Sequence, residues 1–410
     1  MTSLSLSRAF DRARVERLAD GLAAALAVSL PWSTSASGIL AALWAIVLVP
    51  TLDWREARRV LLSAAGGLPV LLVLLGVAGM FWADVSWAER WGGIGSFVKL
   101  LAIPLFFVQY ARSERGKDVF AAYLISCALV LLTSFARTIW PDLPHTAPHD
   151  GVMVKNGPTQ SGEFAICIGG LLAVAHEALR RRDYRWLAVS AALALAMLGD
   201  IVFIATGRTA LFIVLTLIAV YAVTRFNARG ALIAAVVTGA FVVAAWFSSS
   251  YLRDRVDEIW TDAQAYEQSD ARNSSGERIA FAKYSIAFIR SAPIIGHGTG
   301  SIHDLFVKAT AGRTGASGSA TTNPHNQTFA VGIQLGFVGI AVLWAMWLAH
   351  LWLFRGASFV AWIGLLLVVQ NIVGSAFNSH LFDFVQGWTY VVGVGVAGGM
   401  VLRDRRRKAA

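Results

Sequence analysis

Charge is scarce in this 410-residue chain: Asp, Glu, Lys and Arg make up only 15% of it, against 56% hydrophobic residues. A soluble domain of this size needs a far more charged surface. Cysteine is nearly absent too. Cys127 and Cys167 both fall inside apolar runs, which leaves neither a disulfide framework nor a metal site. No Cys/His cluster has zinc spacing, and no Walker motif marks an ATP site. No Asp-x-Asp pair stands on the expected outer face to hold a nucleotide sugar through a metal. Neither metal nor cofactor is therefore expected, and the chemistry draws on an activated, membrane-borne substrate.

Long apolar runs are what the chain has, with a mean hydropathy of +0.60. They recur at roughly 18–34, 36–52, 60–83, 92–110, 118–140, 161–179, 186–204, 209–224, 231–249, 326–350, 358–378 and 386–402. The pattern predicts an all-α integral membrane protein of about twelve transmembrane helices, one polytopic domain over 1–410. The first run follows Arg8, Arg12, Arg14 and Arg17 and precedes Ser-Thr-Ser-Ala-Ser, as a signal peptide does. Eleven further runs favour an uncleaved first helix. Residues 5–17, with Leu6, Phe10 and the arginines on different faces, suit an interfacial amphipathic helix.

The net charge of +10 raises the question of nucleic acid, but the basic residues sit in small clusters between apolar runs, so no nucleic-acid partner is expected. One set of connections holds the N-terminal arginines, then Arg55, Arg58 and Arg59, then Arg112, Arg115 and Lys117. It continues with Arg180, Arg181, Arg182 and Arg185, with Arg225 and Arg229, with Arg355, and with a tail of Arg403, Arg405, Arg406, Arg407 and Lys408. The opposite short connections hold only Arg90, Lys155 and Arg208. That asymmetry puts both termini in the cytoplasm. No internal repeat is visible.

One connection is long. Residues 250–325, on the outer side, form a large loop expected to carry short helices. Gly276 to Arg290 has Ile279, Ala282, Ile286 and Ile289 at helical spacing, as for a helix lying on the membrane surface. Thr310 to Thr322, rich in Gly, Ala, Ser and Thr, reads as a mobile segment, either a solvated linker or a substrate-gating lid.

Chemistry-bearing residues gather around that loop. In Asn323-Pro324-His325-Asn326, Pro324 suits a first helical turn and Asn323 an N-cap, which sets His325 beside a positive helix end. There the imidazole either serves as a base or hydrogen-bonds the loop. Arg208, in the tight turn Thr206-Gly207-Arg208-Thr209, either grips phosphate oxygens or snorkels at the interface. Gly276-Glu277-Arg278 is followed by Pro293-Ile294-Ile295-Gly296-His297-Gly298-Thr299-Gly300, whose glycines permit a close approach to a ligand. No strand precedes it, which rejects a dinucleotide fold. Lys99 and Arg137 are cations inside apolar runs, placed to anchor a lipid phosphate or to snorkel.

Together these features resemble the bacterial O-antigen ligase family, within the wider O-antigen ligase and polymerase superfamily. The resemblance rests on His325-Asn326 followed by Gly336 and Gly339, the Pro293 to Gly300 segment, Arg278, and Thr206-Gly207-Arg208 before the eighth run. It implies a GT-C-like glycosyltransferase in a Gram-negative inner membrane with a periplasmic active site. The donor would be a polysaccharide on undecaprenyl diphosphate, and the acceptor a sugar of the lipid A–core oligosaccharide. Transfer would be metal-independent and inverting. His325 would deprotonate the acceptor hydroxyl while Arg208 and Arg278 hold the diphosphate, with Asn326, Lys99, Arg137, His297 and Glu277 as secondary candidates. An O-antigen polymerase would use the same chemistry with a second lipid-linked glycan as acceptor. A protein O-oligosaccharyltransferase usually carries more soluble mass near its C-terminus than this chain does. A glycan flippase or transporter would show repeated halves.

The charge asymmetry makes a first prediction. A topology reporter fused after Ala410 should read as cytoplasmic, and one inserted in residues 311–320 as periplasmic. A periplasmic C-terminal tail would overturn both the orientation and the functional expectation built on it.

Overall fold

The computed structural model describes residues 12–143, 152, 155–205, 207–248 and 250–409, which hold helices and no strands. In chain order the helices are α1 (Arg12–Ser29), α2 (Thr34–Leu48), α3 (Trp54–Leu61), α4 (Ala64–Gly79), α5 (Trp87–Val98) and α6 (Ala102–Tyr110). Then come α7 (Gly116–Ile139), α8 (Gly157–Arg181), α9 (Tyr184–Phe203), α10 (Arg208–Arg225), α11 (Ala228–Ser248) and α12 (Ser250–Ser269). The last five are α13 (Ser274–Ser291), α14 (Ile302–Thr310), α15 (Gln327–Leu353), α16 (Phe359–Ser375) and α17 (Phe384–Ala409).

The chain is an all-α membrane protein. Among the described residues nine helices are long and apolar enough to cross a membrane, with α5 and α6 counted together, or ten if α3 and α4 count as one bent span. The other two expected runs fall on α1, which carries Arg12, Arg14, Glu16, Arg17 and Asp20, and on α16, which is shorter at 17 residues. The expected third span, 60–83, is not straight. α3 and α4 meet at 80°. Ser63, between them, caps α4 by accepting from the Gly66 amide, and α3 buries the Glu56 carboxylate against Arg406 of α17. The fourth is broken by a 3₁₀ turn at Lys99–Leu101. Leu6 and Phe10, expected on an interfacial helix, lie outside the described residues.

α17 runs through the middle of the bundle, buried along most of its length, while α11 lies at its edge. Small residues let neighbours approach α17 closely, as helix packing in lipid requires. A Cβ on Gly395 would stand 2.5 Å from the Phe106 Cβ. The indole of Trp44 stacks on Phe106 at 3.8 Å and donates to Gln109 Oε1 at 2.8 Å.

The long connection folds into α12, α13 and α14. α13 covers the stretch whose periodicity predicts a helix. Its buried residues include Ala280, Phe281, Ser285 and Ile289, which it turns toward the protein. Residues 310–322 are not a free linker. The Asp270 carbonyl accepts from the Ala316 amide at 2.9 Å, and its carboxylate accepts from the Ser317 amide at 3.0 Å. Ser319 Oγ donates to Glu277 Oε1 at 2.7 Å, and Tyr284 donates to the Ser317 carbonyl at 2.8 Å. Small residues are used there because Gly315, at φ +65°, would carry a Cβ only 2.2 Å from the Asp270 carbonyl oxygen.

The Pro293 to Gly300 turn has a backbone partner. α15 breaks at Gly336 (φ +60°, ψ −158°), a conformation open essentially to glycine alone. A break inside an apolar span frees backbone groups that lipid cannot satisfy. The turn captures them. His297 and Gly298 amides donate to the carbonyls of Ile333 and Gln334 at 2.8 and 2.9 Å. The amides of Phe337 and Val338 donate to the carbonyls of Pro293 and Ile294 at 2.7 and 3.2 Å. On its other face, the Thr299 amide and hydroxyl donate to the carbonyls of Gly79 and Gly76 of α4. The glycines thus serve close approach to protein backbone, not to a ligand: a Cβ on Gly298 would lie 2.5 Å from Ala83 Cα.

Gly336→Ala therefore forces a disfavoured backbone and brings a Cβ within 2.4 Å of the Ile294 carbonyl. It should destabilise the protein by at least about 1–3 kcal/mol, seen as a lower melting temperature in detergent. Gly38→Ala in α2, where a Cβ meets nothing within 4 Å, is the control and should be neutral or slightly stabilising.

Candidate functional site

His325 stands in a tight turn at one end of the bundle, just before α15. Asn323 Oδ1 accepts from the His325 amide at 2.9 Å and from Ser379 Oγ at 2.8 Å. Asn323 Nδ2 donates to Asn378 Oδ1 at 2.7 Å. The same Asn378 oxygen lies 3.1 Å from His325 Nδ1. Thr321 Oγ1 closes the other side of the turn by accepting from the Asn323 amide at 3.0 Å. Asn323 is therefore not the N-cap of α15. Its side chain is taken up by a local turn, and Asn326 caps the helix instead, its Oδ1 accepting from the Phe329 amide at 3.1 Å. This leaves His325 outside the helix with φ +54°, a conformation uncommon for a side-chain-bearing residue.

The imidazole is half-buried and lies nearly parallel to the ring of Phe281, 6.0 Å away and at 17°. Its pKa is held below the ordinary histidine value, first by burial and then by the Arg278 charge, against the opposing pull of the Asn378 hydrogen bond and Glu277. Burial, not the helix end, leads that shift.

Arg208 is the first residue of α10, and Arg278 lies in the second turn of α13. Thr206, in the same turn as Arg208, lies outside the described residues. Arg278 keeps an exposed surface, yet burial and the charge of Arg208 lower its pKa. The charge of Arg208 thus bears on Arg278, and that of Arg278 on His325, although the three lie far apart in the chain.

The other candidates have structural partners. Burial raises the Glu277 pKa, but hydrogen bonds from Ser319 and Arg272, with the charges of Arg272 and His325, leave it lowered. A carboxylate held in that way is a poor base. His297 Nε2 lies 3.0 Å from the Phe288 carbonyl and from Ser291 Oγ, so it secures the turn behind α13. Lys99 neither snorkels nor faces lipid: buried, it donates to the carbonyls of Phe382 and Asp383 at 3.0 and 2.6 Å. Arg137 is buried as well and donates to the Val152 carbonyl.

Sequence reasoning missed Asn378, Ser379 and Phe281. The signal for the first two was a polar Asn378-Ser379-His380 at the end of the eleventh run, which reads only as the end of a span. Beside the turn opens a cleft of about 450 Å³, lined by Glu89, Ser96, His303, Gln334 and Asp383 and sharing Asn323, Pro324 and Ser379 with the turn. Among the described residues, no group of three or more histidines, cysteines or carboxylates is placed to hold a metal ion.

A bundle of apolar helices of membrane-spanning length, with a half-buried imidazole at one end on which an arginine charge bears, defines the general class. Residues 192–344 match the profile of a protein family described as O-antigen ligase, a stretch that contains Arg208, Arg278 and His325. Across those residues the chain is similar to that family, whose members are membrane glycosyltransferase-like enzymes of the ligase and polymerase superfamily. No curated protein matches it.

Lys99 generates a test of its own. Replacing it by Met takes the Lys99 donor from the part-buried carbonyls of Phe382 and Asp383, of which the second keeps the Gly387 amide, at a total cost of about 1–3 kcal/mol. Lys99→Met should lower the melting temperature of the purified protein. Weakened binding of a lipid phosphate at normal stability would instead restore Lys99 to the role of lipid anchor.

Proposed function

We propose that this protein is an O-antigen ligase, transferring a polysaccharide from undecaprenyl diphosphate to a sugar hydroxyl of lipid A–core at the periplasmic face of the inner membrane. The observation that carries the reading is the convergence of a half-buried imidazole with two arginines at one end of the bundle. Two guanidinium charges held near each other repel, and a diphosphate relieves that repulsion while accepting their forked hydrogen bonds. His325 then takes the proton of the acceptor hydroxyl as its oxygen attacks the anomeric carbon. The bond from that carbon to the diphosphate oxygen breaks, inverting the centre. The leaving group keeps the bonding electrons, and the arginines stabilise the charge that develops on it. No proton donor is needed for such a leaving group. Attack geometry comes from holding both lipids at one site.

The neighbouring cleft supports a place for the acceptor. Its carboxylates, Glu89 and Asp383, disfavour a diphosphate, while Ser96, Gln334 and His303 suit sugar hydroxyls. An O-antigen polymerase would extend a second lipid-linked glycan at the same centre. Reconstitution with purified protein, lipid-linked glycan and lipid A–core separates the two: a joined lipopolysaccharide band supports ligation, and chain growth without lipid A–core supports the polymerase.

His325→Ala should lower ligation by about 10²–10⁴-fold at normal protein level, and His325→Gln should fail as badly. Arg208→Ala or Arg278→Ala should cost about 10²–10³-fold, with Arg→Lys intermediate because the fork is lost. Full ligation by both Ala variants would place the diphosphate elsewhere. The base acts only when unprotonated, so kcat/KM should fall as pH drops through its lowered pKa, below the ordinary histidine value of about 6.5. A bound diphosphate raises that pKa, so the acid limb of kcat should lie at higher pH than that of kcat/KM.

A further inference from the structure

The hydrogen bonds around His325 decide which of its nitrogens carries the proton. The His325 backbone amide can only donate, so the Asn323 atom it meets at 2.9 Å is the carbonyl oxygen, and Ser379 Oγ donates to the same atom. The other end of the Asn323 amide is then NH₂, a donor, and it meets Asn378 at 2.7 Å. The Asn378 atom there must accept, so it is Oδ1. That oxygen also faces His325 Nδ1 at 3.1 Å, so Nδ1 must be the protonated nitrogen of the neutral ring.

We propose that Asn323 and Asn378 are positioning residues that lock His325 in the Nδ1–H tautomer, leaving Nε2 with its lone pair for the reacting hydroxyl. This rests on the reading of His325 as the base. The turn that builds the lock also sets the ring's direction, because the bond from the His325 amide to Asn323 Oδ1 ties down the backbone at φ +54°. The ring stacks against Phe281, which resists rotation about the side chain. The charged groups bearing on the ring are Arg278 and Glu277 of α13, with Arg208 acting through Arg278.

The test is ¹⁵N NMR of full-length protein with labelled histidine in nanodiscs, the His325 signal being assigned as the one lost in His325→Gln. Wild type should show Nδ1 protonated and Nε2 bare at neutral pH. In Asn323→Asp the new carboxylate cannot donate, so the Asn378 amide turns to give its NH₂ both to that carboxylate and to His325 Nδ1. The tautomer should switch to Nε2–H, and ligation should fall by about 10²-fold or more. Asn378→Asp keeps an acceptor at Nδ1, so it should keep the Nδ1–H form. Its added negative charge should move the acid limb of the rate profile to higher pH. Should Asn323→Asp fail to fold, the wild-type and Asn378→Asp spectra decide alone. Wild type with Nε2 protonated, or either Asp variant with the opposite tautomer, overturns the proposal. An active His325→Gln variant would instead remove the base reading while the spectrum still reports the lock.

Discussion

A helix broken inside a membrane must find partners for the backbone groups it frees, and in this protein that requirement is met at Gly336. Lipid supplies no hydrogen bonds, so the carbonyls of Ile333 and Gln334 and the amides of Phe337 and Val338 would each be costly if left bare. The 293–300 turn satisfies all four and at once binds the end of α4 through Thr299. Because α13 leads directly into that turn, its position is fixed at its C-terminal end. Its N-terminal end is fixed by Asn273, whose Nδ2 donates to the Asp262 carbonyl of α12, and by the Asp270 contacts to 316–317. Arg278 lies between these anchors. The half of α15 above the break carries the turn that holds His325. Thus one backbone constraint sets the spacing between the imidazole and the arginine of α13.

Electrostatics then divides that end of the bundle. Arg278 bears on the imidazole and Arg208 on Arg278, while the cleft that shares Asn323 and Pro324 with the turn is lined by the Glu89 and Asp383 carboxylates. Under the proposed reading this separates an anionic donor from a polyhydroxyl acceptor, with the base on the boundary. Burial first and the Arg278 charge second hold the imidazole's pKa below the ordinary value, so under that reading the base is unprotonated when the donor arrives. A histidine flanked by carboxylates would be charged in the resting protein and would have to lose a proton first. Glu277, the acid whose charge bears on the ring, is occupied by Arg272 and Ser319, which limits its influence.

Much of this was legible in the sequence, and what was not has identifiable physical causes. Apolar runs and helical periodicity report burial in lipid or against a neighbour, so all twelve runs fall on helices and the amphipathic stretch 276–290 falls on α13. Periodicity does not report bends, which depend on tertiary partners. The 80° corner before α4 and the 3₁₀ turn at Lys99 were therefore invisible. Lys99 read as a lipid-facing cation because the two carbonyls it serves lie in the segment before α17, far along the chain. The flexible look of 310–322 was misleading for a related reason. Small residues signal mobility only when nothing needs them to be small, and there Gly315 and Ala316 fit closely against Asp270. The glycines of 293–300 were singled out correctly, but the surface they approach is the protein's own backbone.

The helix cap was the instructive miss, because local propensity supported both choices. Asn323 before Pro324 and Asn326 before Gln327 are each good helix starts. What decides between them is Asn378, which occupies the Asn323 amide from the end of the neighbouring α16 and leaves the helix to begin three residues later. Had α15 started at Asn323, His325 would have been drawn into its first turn, with helical φ and a side chain directed by the helix. The later start places it at φ +54°, outside the helix and against Phe281. A conformation of that kind costs on the order of 1–3 kcal/mol and persists only where the surroundings over-determine it. Here they do, through the bond from its own amide to Asn323, the contact of its ring with Asn378 and the capping of the next residue. Under the proposed reading, the strain is local to the one residue whose side chain faces both substrates, and the bonds that hold it there are those proposed to select its protonated nitrogen.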